Sequence, residues 1–168
     1  LTSRLTSQCP KPKERYHEYF TGLEATLATY DTLKLDVCGF ACTASTYRVG
    51  RQAEDDELKR LSDIKGYPVL SAGLAIEQAL RTLNVEKLAI GAPYPEWSVA
   101  MSRDYWIGRG FDVVNTTRIA IASEDTRAIY ELSAKDALAT LESVDYSATD
   151  AILLTGTGMP SLTAILAL

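Results

Sequence analysis

The feature that most constrains the fold is a regular alternation of short apolar runs with longer segments of helical periodicity. The run from Leu35 to Ala41 is short and β-prone, which is typical of a strand buried on both faces of a parallel sheet. Residues 13–33 instead carry apolar or aromatic side chains at close to a 3.6-residue period. This alternation predicts an α/β fold with mostly parallel, doubly wound sheets. The predicted strands are 35–41, 69–71, 87–91, 111–114 and 150–154, and the predicted helices are 13–33, 51–60, 73–83, 96–109 and 125–142.

Two strand-to-turn segments share one pattern. Aligning residues 35–43 with 149–157 places Asp36 on Asp150, Cys42 on Gly156 and Thr43 on Thr157. We therefore predict two pseudo-symmetric lobes that offer strand ends to a shared cleft, the first built from residues 1–70 and the second from 71–168. The chain has no initiator Met and stops within an apolar helical pattern, so we expect it to be incomplete at both ends.

Composition excludes several classes of partner. The net charge of -5, with scattered Lys and Arg, provides no basic face for nucleic acid. No apolar run approaches the roughly 20 residues that cross a bilayer, and the start lacks a secretory pattern, so we expect a cytoplasmic protein without a membrane partner. Three cysteines indicate reduced thiols rather than a disulfide framework. A single histidine makes a metal site unexpected.

Cys42 is the candidate reactive group because it lies where a predicted buried strand gives way to a turn, the usual place for ligands in a parallel sheet. If Thr43 to Ser45 open a helix, the free backbone N–H groups and the helix dipole would stabilise a thiolate. Such a thiol serves as acid, base or nucleophile. The alternative is a small buried hydrophobe. That alternative is preferred for Cys38, within the strand, and Cys9 is interpreted as incidental.

A second loop, Gly156 to Pro160, contains two glycines suited to close backbone approach and a proline suited to the first turn of a helix. These features describe a cradle for a carboxylate, and the alternative is an ordinary strand–helix turn. Tyr94, held between two prolines after a strand, is placed to donate to a substrate oxygen. Tyr47 and Arg48 follow Cys42 and are candidates to orient its loop or meet a carboxylate.

In their order and spacing these motifs resemble the aspartate/glutamate racemase superfamily, in the branch of arylmalonate decarboxylase and maleate cis-trans isomerase. The resemblance covers nearly the whole chain. Its motifs are Cys42-Thr43 followed by Tyr47, Arg48 and Gly50, then Gly66 and Pro68, then Tyr94, and finally residues 153–158.

The resemblance implies a cofactor-independent enzyme acting next to a carboxylate. Racemases of the superfamily place one cysteine on each side of the substrate's α-carbon, whereas here Cys42 matches the first and Gly156 occupies the second position. The resemblance therefore implies a reaction on one face of the substrate. Decarboxylase-type proton transfer on a malonate-like acid is slightly preferred, and maleate-type isomerisation by nucleophilic addition is the alternative. An amino-acid racemase relative and a non-catalytic carboxylate-binding protein also remain open.

The same resemblance implies the substrate-binding set and the partners. The residues expected to hold one carboxylate of the substrate are Thr43, Tyr94, Gly156, Thr157 and Gly158. The expected partner is a small carboxylate or dicarboxylate, no cofactor is required, and association into a homo-oligomer stays open.

Overall fold

The computed structural model describes residues 1–167, and it divides into two compact units, Leu1–Ala79 and Leu80–Leu168. Each unit contains its own parallel sheet with helices before and after the strands. The predicted α/β class with mostly parallel strands is therefore confirmed. The lobe assignment made from the sequence, with its boundary between 70 and 71, stays a prediction. Within residues 1–167, no helix combines the length and the apolar character needed to span a membrane.

The first unit has a two-stranded parallel sheet, in which Cys38 pairs with Val69 and Phe40 with Ser71. Its core joins the first, second and fourth helices to this sheet and consists of Phe20, Leu23, Leu27, Phe40, Leu58, Leu61 and Val69. Its elements are α1 (Pro12–Thr21), α2 (Leu23–Ala28), β1 (Cys38–Phe40), α3 (Thr43–Val49), α4 (Arg51–Lys65) and β2 (Val69–Ser71), followed by α5 (Ala72–Thr82).

The second unit is organised around a parallel sheet of order β4-β3-β5, so its central strand is β3. Because all three strands run in one direction, their carboxyl ends lie at the same edge, where ligands of open parallel sheets bind. Its elements are β3 (Lys87–Ala92), α6 (Glu96–Gly108), β4 (Asp112–Arg118), a 3₁₀ helix (Thr126–Glu131), α7 (Ala134–Leu141), β5 (Ala151–Leu154) and α8 (Leu162–Ala167).

Two predicted helices are each divided in the structure. The helix predicted over 13–33 ends at Thr21 and restarts at Leu23, with Gly22 between the two helices at φ -81° and ψ 0°. The helix predicted over 125–142 is a 3₁₀ turn followed by α7. A capping box between Ser133 and Asp136 starts α7 anew, although the apolar periodicity continues across it.

Two predicted strands also differ from the structure. The strand predicted over 35–41 is paired only from Cys38 to Phe40, and Gly39 is exposed, so burial on both faces is wrong. The strand predicted to end at 114 continues to Arg118. Its second half is polar, and it passes through a register shift in which Leu88 pairs with Val113 but Ala89 with Asn115.

Helix α6 contains a matched pair of buried serines. Ser98 and Ser102 are both fully buried, and Ser102 donates to Val99 O at 2.8 Å, whereas Ser98 Oγ has no hydrogen-bond partner among residues 1–167. The change to alanine gains the same helix propensity at both positions, so the comparison isolates the hydroxyl. We expect Ser98→Ala to be more stable than Ser102→Ala by about 1 kcal/mol in the free energy of unfolding, measured by urea denaturation. Equal stabilities would contradict the assignment of Ser98 as an unsatisfied hydroxyl.

Asp150, just before β5, is hydrogen-bonded to the start of β3, and these hydrogen bonds make the free energy of unfolding depend on pH. Its carboxylate accepts hydrogen bonds from Lys87 N at 2.8 Å and Glu86 N at 2.9 Å. These backbone bonds, that of Lys87 foremost, hold the pKa of Asp150 below its usual value. The resulting stability is present above the ordinary aspartate range, near about 3.9, and is lost as the pH falls through the lowered pKa of the folded state. Asp150→Asn should therefore lower the melting temperature at pH 7, and its difference from wild type should shrink in acid. The exposed Asp104→Asn in α6 serves as the control.

Candidate active site

Cys42 is the N-cap residue of α3 and follows β1 by two positions. Its backbone is extended, with φ -143° and ψ 92°, and the helix begins at Thr43. The prediction that residues 43–45 open a helix is therefore confirmed. The thiol is half-buried, so a small molecule can reach it while part of its surface is withdrawn from water. The sequence thus positions Cys42 rigidly, between a paired strand and the first helical turn.

The Cys42 thiol has a hydroxyl partner that sequence reasoning did not identify. Cys42 Sγ lies 3.2 Å from Ser45 Oγ, and Ser45 is fully buried. No backbone N–H group of α3 donates a cap hydrogen bond to the Cys42 sulfur within the described chain. When the sulfur is ionised, the Ser45 hydroxyl is the donor. The spacing of three residues between an N-cap and a hydroxyl residue is the signal that would have revealed this pair.

The other predicted residues of the first unit lie in different surroundings. Tyr47 is buried at 4% exposure, whereas Arg48 is exposed and lines a groove of about 510 Å³ together with His17, Phe20 and Glu57. Their roles beside Cys42 stay predictions. Burial raises the pKa of the Cys38 thiol, which makes it a poorer nucleophile at neutral pH.

Tyr94 lies at the carboxyl edge of the second unit's sheet, immediately after β3. It is buried between Pro93 and Pro95, with 3% of its surface exposed. Arg118, the last residue of the neighbouring β4, donates from Nε to Tyr94 O at 3.0 Å. Sequence reasoning missed this arginine because it ended the strand four residues too early. The pair fixes the backbone of the loop between β3 and α6.

Gly156, after β5, is packed against the same loop. Its φ is +83°, and an added Cβ would lie 2.6 Å from Pro93 Cγ and 3.5 Å from Tyr94 Oη. The structure therefore brings Tyr94 and Gly156 together, as the sequence predicted for residues at one sheet edge. Gly156 has neither the backbone conformation nor the space for a side chain.

The loop after Gly156 is a turn rather than a helix start. Met159 N donates to Gly156 O at 2.9 Å, and α8 begins only at Leu162, so the prediction of Pro160 in the first turn of a helix is wrong. The reason is the positive φ of Gly156, which turns the chain back on itself first. Within residues 1–167, the N–H groups of Thr157 and Gly158 have no hydrogen-bond acceptor. Thr157 is exposed and Gly158 half-buried, so these donors remain available to a ligand.

The two aligned loops differ in backbone geometry. Cys42 is extended and caps a helix, whereas Gly156 has a positive φ and begins a turn. Asp150 accepts two backbone hydrogen bonds, and Asp36 makes no comparable bond within residues 1–167. The Cys42 and Gly156 loops are thus alike in sequence and in their position after a strand, but not in backbone conformation. The described residues contain no group of three or more His, Cys, Asp or Glu side chains placed to hold a metal ion.

Comparison with known proteins gives the fold a context. No family model matches the chain, and no curated protein sequence matches it. Among solved structures, a maleate isomerase from Pseudomonas putida S16 with maleate matches with a TM-score of 0.83 and 21% identity, over 99% of this chain and 66% of that one. A Nocardia farcinica maleate cis-trans isomerase, a cysteine-to-serine mutant with a covalently bound succinylcysteine intermediate, matches with a TM-score of 0.81 and 20% identity, over 96% of this chain and 66% of that one.

An arylmalonate decarboxylase also shares the fold. A liganded double mutant, with one glycine changed to cysteine and one cysteine changed to serine, matches with a TM-score of 0.77 and 18% identity, over 96% of this chain and 67% of that one. The fold expected from the sequence resemblance is therefore confirmed. The chain spans just under two thirds of the length of the first isomerase, 66%.

Replacement of Gly156 tests the close packing of the two loops. A side chain there must adopt a left-handed backbone conformation and also displace Pro93, so we expect Gly156→Ala to lower the free energy of unfolding by about 2 kcal/mol or more. Gly108→Ala, at a helical position where nothing lies within 4 Å of an added Cβ, should be neutral or slightly stabilising. Urea denaturation of both variants in the full-length protein measures the difference, and equal stabilities would contradict the tight contact.

Proposed function

We propose that this protein is a cofactor-independent enzyme in which the Cys42 thiol acts at a carbon next to a carboxylate of a small acid. The observation that carries the proposal is the placement of Cys42: half-buried, at the end of a strand and the start of a helix, with its sulfur 3.2 Å from the Ser45 hydroxyl. A donating hydroxyl beside a thiolate stabilises its charge, and it returns a proton when the thiol is regenerated.

The carboxylate of the substrate is proposed to lie against the second loop. The free N–H groups of Thr157 and Gly158 form a pair of donors for an anion, and the Tyr94 phenol lies beside Gly156. The role expected of Thr43, at the first position of α3, in binding a substrate carboxylate stays a prediction. Preorganised donors of this kind stabilise the charge that builds on a carboxylate when its α-carbon becomes an enediolate.

One proposed reaction is decarboxylation of a malonate-like acid. The bond from the α-carbon to one carboxylate breaks, carbon dioxide leaves, and the electron pair becomes the enediolate of the remaining carboxylate. The Cys42 S–H then gives its proton to the α-carbon, and water reprotonates the sulfur. A single thiol is sufficient because only one proton is delivered, to one face.

The other proposed reaction is cis-trans isomerisation of an unsaturated diacid. The Cys42 thiolate forms a carbon–sulfur bond, and the π electron pair moves to the adjacent carbon and its carboxylate. The former double bond rotates as a single bond, the pair returns, and the carbon–sulfur bond breaks. The succinylcysteine in the Nocardia farcinica isomerase supports this route as a chemistry of the fold. It too needs only one thiol.

The constraint at Gly156 is an argument against two-thiol racemisation. A second thiol at that position would have to occupy space that Pro93 fills. The rival of another class is a carboxylate-binding protein without catalysis. It differs from the enzyme in one measurable respect, because it requires carboxylate binding but no reactivity of Cys42.

Thiol labelling separates the enzyme from the binding protein. We expect iodoacetamide to modify Cys42 faster than Cys38 at neutral pH, since burial raises the pKa of the Cys38 thiol, and we expect malonate or maleate to slow the Cys42 reaction. Peptide mass spectrometry assigns each site in the full-length protein. Labelling of Cys42 at the rate of a free thiol, with no protection by carboxylates, would count against the enzyme.

Product analysis separates the two reactions. Incubation with malonates or with maleate in deuterated water should give either carbon dioxide and a deuterated monoacid or fumarate. Cys42→Ala should reduce turnover by at least about a thousandfold, because it removes the only proposed covalent or proton-transfer group. Cys38→Ala, which removes a neighbouring thiol of the same unit, should retain activity. Equal activity of the Cys42 and Cys38 variants would refute the assignment.

A further inference from the structure

Arg118 carries a half-buried guanidinium at the carboxyl edge of the second unit's sheet. The residue ends β4 opposite Ala92, the last residue of β3, and 34% of its side-chain surface is exposed. Its Nε donates to Tyr94 O at 3.0 Å, so one side of the planar group is anchored to the loop that carries Tyr94. The side chain is thus oriented before any ligand arrives.

The other side of the guanidinium is open. Within the described chain, the Nη atoms make no hydrogen bond, and the ion pair from Nη1 to Glu96 Oε1 is long at 3.9 Å. Glu96 is itself largely exposed, at 79%, so solvent screens this pair. An anchored guanidinium with free Nη donors has the shape and charge that bind a carboxylate through two parallel hydrogen bonds.

We propose that the Arg118 Nη donors bind the second carboxylate of a dicarboxylate substrate and thereby determine specificity for diacids. This inference rests on the proposed function, in which the first carboxylate lies at the Thr157 and Gly158 N–H groups. Those groups follow β5, on the opposite side of β3 from β4. Two interstrand spacings separate the outer strands by roughly 10 Å, a span that a short diacid bridges with hydrogen bonds from both of its carboxylates.

The proposal also distinguishes the two reactions. Decarboxylation destroys the negative charge of the departing carboxylate, so a cation bound there stabilises the reactant more than the transition state and slows the reaction. Isomerisation keeps both carboxylates charged throughout, so the same cation assists binding without opposing chemistry. Arg118 therefore favours the isomerisation of an unsaturated diacid over the decarboxylation that the sequence placed slightly ahead.

The experiment compares a diacid with its monoamide. Binding of maleate and of maleamate to the full-length protein is measured by isothermal titration for wild type, Arg118→Gln, Arg118→Lys and Arg103→Gln. Arg118→Gln should weaken maleate binding roughly ten- to hundredfold, the effect of a lost hydrogen bond between charged groups, but should change maleamate binding less than about threefold. The maleate affinity of Arg118→Lys should lie between those of wild type and Arg118→Gln, since lysine keeps the charge without the planar set of donors. Arg103, an exposed arginine of α6, is the charge-matched control and should bind as wild type.

The two ligands separate substrate binding from a purely structural role. If Arg118 served only to hold the Tyr94 loop, both ligands would weaken by the same factor, and that result overturns the proposal, as does unchanged maleate affinity. Thermal melting reports whether Arg118→Gln is folded, and Arg118→Lys supplies the test if it is not. Diacid binding that depends on Arg118 in a protein without Cys42-dependent turnover would uphold this inference and refute the proposed function. If turnover depends on Cys42 but the KM for the diacid is unaltered in Arg118→Gln, the proposed function is upheld and this inference is refuted.

Discussion

The close contact between Pro93 and Gly156 is the constraint on which the candidate site of the second unit depends. It joins the loop after the central strand to the loop after β5, and it leaves room for no side chain between them. On the other side of β3, Arg118 joins the same loop to β4 through Tyr94 O. The three strand ends are therefore linked to one another by the Pro93 ring and by the Arg118 guanidinium. The donors at that edge lie on loops that contact one another, an arrangement that favours electrostatic preorganisation.

Cys42 and Gly156 occupy equivalent positions in the two aligned loops, but different local interactions surround them. Cys42 is the N-cap residue of α3, and its thiol lies beside a buried serine hydroxyl that can donate to a charged sulfur. The turn at Gly156 instead exposes backbone N–H groups, so its surroundings are suited to a charge on a ligand. One loop thus carries the proposed reactive group and the other the proposed binding group.

The order of elements, the helix start at Thr43 and the proximity of Tyr94 to Gly156 could be predicted from the sequence, because apolar periodicity and strand ends are local signals. Other features could not. Arg118 was missed since the second half of β4 is polar, and the register shift near Val113 breaks its alternation. The division of the first predicted helix at Gly22 was missed too, as was the start of α8 only at Leu162, after the positive φ of Gly156. These features follow from backbone geometry, which the residue types alone indicate only weakly.

The packing of Pro93 on Gly156 has a consequence for how such a site can change over generations. A substitution that introduces a side chain at 156 must first pass through a protein in which proline and side chain compete for the same volume. A second substitution at Pro93 would relieve this competition but not the backbone strain, because the φ of Gly156 is +83°. Packing and backbone conformation therefore oppose a side chain at 156 independently. The site is protected twice against acquiring a second nucleophile in a single mutational step.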